Sequence, residues 1–219
     1  MNILSGILPK KRYEFIEDIK GVHQLGGDIP AGFIMPPNDF IGSIQYLGAI
    51  DNSDTVFSWL PFRLHLICPI FLNIEMVFVD YENPNAPVII SPLDTAAVTT
   101  EYDDLEKDSI VIFNKISVGL ELIKVPITED NDDEIIGLTG KPVWEQNSES
   151  PKCPKTGRKM KFICQLFSSG KVTTKYTNIK AAEQYYQDCF ADMNFWEDGS
   201  LYVFFEPDSK VACYFIQHT

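Results

Sequence analysis

Apolar residues in this chain come in short runs, and almost every run is closed by a turn cluster. Leu64–Leu72, one of the longest, is too short to span a bilayer. Ile110-Val-Ile-Phe113, Phe162-Ile-Cys-Gln-Leu-Phe167, Leu201-Tyr-Val-Phe-Phe205 and Val211-Ala-Cys-Tyr-Phe-Ile216 have the length and β-branched or aromatic content of strands. Between such runs lie Pro36-Pro37-Asn38-Asp39, Asp51-Asn-Ser-Asp54, Asn83-Pro84-Asn85 and Glu197-Asp198-Gly199. Those residue types supply the dihedrals of tight turns. The pattern predicts an α+β fold that is mainly antiparallel β, with few helices.

The last two runs, joined by Pro207-Asp208-Ser209, read as a hairpin. Pro69 cannot donate to a ladder, so its segment belongs at an edge or a bulge. Two helices are expected. Tyr13, Ile16 and Ile19 recur at helical spacing, although Tyr13 and Phe15 also alternate. From Asn178 to Met193, Ile179, Ala182, Tyr186, Cys189, Phe190 and Met193 form a stripe, with Asn178 suited to the N-cap.

A chain of 219 residues with 45% apolar content can bury one large core or two small ones. A single domain over residues 1–219 is expected, with a pseudo-repeat of two strand-rich lobes, 1–105 and 106–219. Leu25-Gly26-Gly27-x-x-Pro30 precedes a loop and then Ser43-Ile44-Gln45-Tyr46-Leu47. Leu138-Thr-Gly140-Lys-Pro142 precedes a longer loop and then Phe162-Ile163-Cys164-Gln165-Leu166. The shared order of features suggests two similar lobes, with Gln45 and Gln165 equivalent and each holding its lobe's loop through the backbone. The acidic stretch from Asp94 to Lys107 is the expected boundary.

Charge narrows the partners. A net charge of −13 argues against binding a nucleic-acid backbone, and no basic cluster stands out beyond Lys10-Lys11-Arg12. It suits solubility, or steering towards a basic protein partner. The N-terminal stretch has its charges after its short apolar segment, unlike a secretory signal. The five cysteines are odd in number and widely spaced, as reduced thiols are. A cytoplasmic location without membrane insertion is expected.

The segment around which the chain is organised runs from Gly140 to Leu166. Its motif is Gly140-x-Pro142-x-Trp144, then Cys153-Pro154-x-x-Gly157-x-x-Met160-x-Phe162-Ile163-x-Gln165-Leu166. It reads as an irregular loop with an aromatic anchor, a Pro/Gly turn and a strand. The motif resembles the YwqG-like family of uncharacterised bacterial proteins, and is similar to the C-terminal module of the programmed cell death protein 2 family. Gly199-Ser-Leu-Tyr202-Val-Phe204 fits the same pattern. The resemblance implies a mainly antiparallel β fold with no assigned reaction. In these families a Cys-Pro-x-Cys-Gly knuckle follows the Trp; here Thr156 stands where the second Cys would be.

No cofactor or metal is expected. Zinc needs four ligands with a close pair, and Cys153 has no neighbour of that kind. Cys153-Pro154-Lys-Thr-Gly157 is read as a metal-free turn. The acidic run Glu129–Glu134 lacks the central Gly of a calcium loop and reads as a solvated loop. No nucleophile elbow, P-loop or dinucleotide fingerprint is present. The candidate interaction or structural residues are therefore Trp144, Cys153, Pro154, Gly157, Gln165, Gln45, Trp59 and Trp196. The tryptophans either plug the core or form a recognition surface. Two functions stay open. One is a non-catalytic protein-binding module, immunity-type or chaperone-type, for a basic partner. The alternative is a hydrolase or small-ligand enzyme using acidic residues with Cys153 or His65.

Overall fold

Fourteen strands account for the regular structure of the described residues. The computed structural model describes residues 11–36, 44–69, 76–90, 109–124, 135–179, 189–195 and 199–218. The strands are β1 (Tyr13–Glu17), β2 (His23–Leu25), β3 (Ile44–Ile50), β4 (Leu64–Pro69), β5 (Val77–Asp80), β6 (Val88–Ile90), β7 (Ile110–Phe113), β8 (Ile116–Leu122), β9 (Gly137–Thr139), β10 (Lys161–Phe167), β11 (Ser169–Asn178), β12 (Asp192–Met193), β13 (Ser200–Glu206) and β14 (Val211–Gln217). Eleven form one sheet in the order β4-β3-β2-β8-β1-β9-β10-β13-β14-β5-β6, and three form a second, β12-β11-β7. Every pairing is antiparallel. The fold is mainly antiparallel β, as the short runs require.

No helix occurs among the described residues. Tyr13–Glu17 is a strand, and Ile19, counted into a helical stripe, is 94% exposed on the turn beyond it. Alternation places Phe15 inward, and pairing with β8 decides the conformation over local spacing. Of the expected helix from Asn178 to Met193, Asn178 ends β11 and Met193 ends β12. Residues 180–188 lie outside the described residues, as does the whole of the expected boundary segment from Asp94 to Lys107. Pro69 ends β4, the outermost strand at one end of the order, where its missing donor costs nothing.

The β13–β14 hairpin is apolar on both faces. Leu201, Val203, Phe205, Ala212 and Tyr214 enter the main core, while Tyr202, Phe204, Val211, Cys213 and Phe215 enter a second cluster on the opposite face. Neighbouring residues diverge because the strand period is two. A register shift between Phe162 and Cys164 sends the consecutive Ile163 and Cys164 into the same core. The two ends of the large sheet approach each other. The Tyr81 hydroxyl, just past β5, donates to the carbonyl of His65 in β4 at 2.7 Å and lies 2.8 Å from the Tyr214 hydroxyl.

The strand order reads alike outward from the central pair. From β8 it continues β2, β3, β4; from β1 it continues β9, β10, β13. Register shifts recur at Tyr46/Gly48 in β3 and Phe162/Cys164 in β10. Gly26 and Gly140 follow β2 and β9 with φ of 63° and 90°. A Cβ at Gly26 would lie 2.2 Å from the carbonyl oxygen of Asn114, two residues before β8. A Cβ at Gly140 would lie 2.0 Å from that of Lys11, two residues before β1.

Gly140→Ala combines a left-handed conformation with a backbone clash and is expected to cost about 3 kcal/mol or more. Gly32→Ala shares the positive φ, at 85°, but meets no atom within 4 Å, so about 1 kcal/mol is expected. Urea unfolding of both variants measures the difference; equal costs would mean that the contact with Lys11 is not a constraint.

Candidate functional site

The second apolar face of the hairpin is covered by an irregular loop, residues 140–150, and by the short turn that follows. Trp144 stacks on Tyr202 with centroids 5.0 Å apart and planes 15° from parallel, and lies near Phe204 and Phe215 at 6.3 and 6.4 Å. Tyr202 in turn stacks on Phe215 at 5.2 Å. The ring stack anchors the loop.

A loop without ladder partners needs its backbone groups satisfied by side chains. Gln165, fully buried in β10, accepts from the Val143 N–H at 2.9 Å through Oε1. Its Nε2 lies 3.1 Å from both Ser200 Oγ and Tyr202 Oη. Tyr202 donates to the Val143 carbonyl at 2.6 Å and accepts from the Glu145 N–H at 3.1 Å. Burial pushes the Tyr202 phenol well above its ordinary value, so it stays a donor. Arg12 reaches the carbonyls of Lys141 and Pro142, and Gln217 holds Gln146 and Asn147 through their backbone.

Gln45 does not match Gln165. Its Oε1 is buried without a hydrogen-bond partner, and no described loop hangs from it. Registers explain why. Aligning Leu25-Gly26 with Thr139-Gly140 matches Gln24 to Leu138; their partners are Ala49 and Gln165. Gln165 thus corresponds to Ala49, four positions beyond Gln45.

Cys153 opens the turn. Its N–H donates to the Arg158 carbonyl, its carbonyl accepts from the Gly157 N–H, and Lys152 bridges Lys159 across the neck. Gly157 takes a φ of 70° in open space, and Pro154 is exposed on the outer side. Cys153 Sγ sits 3.1 Å from Ser209 Oγ. Burial pushes the thiol up, but hydrogen bonds from Ser209, Thr156 and the N–H groups of Lys155 and Thr156 outweigh it and hold the thiol below its ordinary value. Thr156, in the place of a second cysteine, therefore supports the first one. Neither His23 nor His65 is a partner of this sulfur. His65 meets the Tyr46 hydroxyl at 3.0 Å, and His23 accepts from the Asp51 N–H. No group of three or more His, Cys, Asp or Glu able to hold a metal occurs among the described residues.

The turn is fastened to the β13–β14 hairpin. Arg158 pairs with Glu206 at 3.1 Å and with Asp208, and Lys155 pairs with Asp80. Burial raises the Glu206 carboxyl, but hydrogen bonds from Ser209 and the charge of Arg158 reverse that and leave it below its ordinary value.

Beside this turn runs a cleft of about 820 Å³, within the size range of ligand sites. One wall is Thr55, Val56, Phe57 and Trp59 from the turn after β3; the other is loop 140–150 with Lys159, Met160 and Lys161. Lys11 and Tyr13 close one end. His23 fixes the first wall. Its Nδ1 accepts from Asp51 N–H at 3.0 Å, its Nε2 lies 3.5 Å from Asp54, and its ring meets Phe57 edge-on at 5.2 Å. Burial holds the His23 imidazole below its ordinary value despite Asp54. Lys161 Nζ stands 4.8 Å over the Trp59 ring.

The structure therefore brings Trp59 and Trp144 into one cleft and sets Cys153, Pro154 and Gly157 in the turn behind it. Gln165 holds the loop from beneath. Gln45 lies elsewhere in β3, and Trp196 lies outside the described residues. The sequence names Lys11 only within the basic cluster Lys10-Lys11-Arg12, and the other cleft lysines, Lys141, Lys159 and Lys161, are not among its candidates. Lys159-Met160-Lys161 carried a signal, since strand alternation puts both lysines on the face opposite buried Met160. No family model, curated protein or solved structure matches this chain.

Two outcomes are expected here. Gln165→Leu leaves the Val143 N–H and its neighbours without partners and costs about 2–3 kcal/mol; thermal unfolding reads this, and an unchanged Tm would make the network idle. For Glu206 the native carboxyl titrates below the unfolded one. Its stabilisation is present above the ordinary glutamate value of about 4.3 and is lost as pH falls through the native value. Wild type should therefore exceed Glu206→Gln in stability at neutral pH, with the gap closing on acidification. A pH-independent gap would remove the ion-pair explanation.

Proposed function

We propose that this chain is a non-catalytic protein-binding module of the immunity or chaperone type, and that the cleft between Trp59 and Trp144 is its contact site. The observation that carries the reading is the composition of that cleft. Aromatic and Met side chains on two irregular loops, held by a rigid sheet, form the kind of wall in which interface hot spots concentrate. The hydrolase reading has less support. The thiol of Cys153 engages Ser209 and the turn's own backbone, and His65 engages Tyr46. The net charge of −13 favours a basic partner over the exterior as a whole. The five free cysteines favour a reducing, cytoplasmic setting. No helix among the described residues is long and apolar enough to cross a membrane.

The same reading includes two similar strand-rich lobes, residues 1–105 and 106–219. Its support is the strand order repeated on either side of β8 and β1, the paired register shifts, and the matched contacts of Gly26 and Gly140. The YwqG-like resemblance also belongs here, supported by the way Gly140, Trp144, the Cys153 turn and Gln165 form one assembly.

A photo-reactive side chain tests the site. Placed at exposed Thr55 on the cleft rim, it should give one defined protein adduct in native lysate. Placed at exposed Tyr176 in β11, it should not. The same adducts from both positions, or none from Thr55, would refute the proposal.

A further inference from the structure

The cleft has a charge opposite to that of the chain. Lys11, Lys141, Lys159 and Lys161 line it, and among the described residues its one carboxylate is Glu149. These are four of the 18 Lys and Arg residues in a sequence with 31 Asp and Glu. Their charge is also uncommitted. Lys155, Lys175 and Lys210 each sit in an ion pair with Asp80, Asp28 and Glu82. None of the four cleft lysines is ion-paired with a described residue, and Lys161 rests on the Trp59 ring instead. Gathering four like charges beside a single carboxylate carries a repulsive cost that a bound anion reduces.

We infer that the cleft docks an acidic peptide segment of the partner, one in which carboxylate side chains are interleaved with an aromatic or large apolar residue. This rests on the binding-module reading above and specifies its ligand. Carboxylates are favoured over phosphate by the donors present. The described lining contains no Arg fork and no helix N-terminus, the two devices best suited to planar or multidentate phosphate recognition. Lysines on flexible stems serve as separate point charges, which suits carboxylates spaced along a peptide. The Trp and Met walls then take the apolar residues between them. The outer acidic surface does not cancel this attraction at contact distance, because exposed charges beyond about 8 Å are largely screened at physiological ionic strength.

The test uses the full chain and fluorescence anisotropy at physiological ionic strength. The probes are a short fluorescein-labelled peptide alternating Glu and Tyr, its twins with Gln or Lys in place of Glu, and a labelled oligothymidine. The Glu peptide should bind more tightly than either twin. The triple variant Lys141→Gln/Lys159→Gln/Lys161→Gln should weaken it about tenfold or more. Lys20→Gln/Lys115→Gln/Lys175→Gln, which makes the same change in net charge at exposed positions outside the cleft, should leave it within about twofold. All six lysines are at the surface, and matching Tm values confirm that both triples fold. Equal binding of the Glu and Gln peptides overturns the inference, as does equal weakening by the two triples. Tighter binding of oligothymidine with the same lysine dependence would give the cleft to a nucleic acid and overturn it as well. If the Glu peptide fails while the Thr55 adduct persists, the charge assignment falls and the binding module stands. If the adduct is absent too, both fall.

Discussion

Burial of β13 and β14 on both faces is the constraint from which the rest of the architecture follows. A hairpin that turns Leu201, Val203 and Phe205 one way and Tyr202, Phe204 and Phe215 the other cannot have a solvated side. Fully burying each such side chain contributes about 1.5–3 kcal/mol. The large sheet and its curl cover the first face. The second is covered by the irregular stretch of residues 140–160, from which Trp144, Cys153 and Met160 pack onto it, together with Met76, Phe78 and Ile90. Irregular backbone placed over an apolar face brings polar groups that need partners. That requirement explains polar Gln165, Ser200 and Gln217 in otherwise apolar strands. Each directs its polar atoms to the loop or to a residue that holds it.

The Cys153 turn is a second consequence of the same cover. A tight reversal at the end of the loop leaves several N–H groups pointing inward, and the sulfur of Cys153 accepts two of them. Arg158 and Lys155 then tie the outer rim to acidic residues of the hairpin and of β5. Because Met160 must be buried in the second cluster, strand alternation sends Lys159 and Lys161 outward on either side of it. Two of the four cleft lysines are thus positioned by the packing of a methionine between them.

Much of this was legible in the sequence, and the misses have physical causes. The hairpin, β7 and the loop-turn-strand order after Gly140 were readable because each is set by local chemistry: turn residues, alternation, and an aromatic beside a glycine. β1 was misread because Tyr13, Ile16 and Ile19 happen to fall at helical spacing; pairing with β8 and β9 overrides it and leaves Ile19 in solvent. The match of Gln45 to Gln165 failed because a shared residue type in a short apolar strand does not fix register. The glycines and the register shifts do, and they place Ala49 opposite β2 where Gln165 lies opposite β9. The cleft itself was out of reach. Its walls come from segments separated by scores of residues, and only the adjacency of β1, β9 and β10 brings Lys11, Lys141 and Lys161 together.

Net charge and local charge therefore carry different information about this molecule. The total of −13 belongs to the chain as a whole and acts at long range, where salt screens it. The lysines of the cleft would act at contact distance, beside aromatic walls. A partner presenting a basic surface around an acidic, aromatic-bearing segment would satisfy both. The outer field would orient its approach, and the cleft would select the segment. Selection in this form needs no moving part and no reaction, only a stiff sheet holding two loops a fixed distance apart. The hydrogen bonds of Gln165 and Tyr202 on one side, and His23 beneath Phe57 on the other, fix that distance.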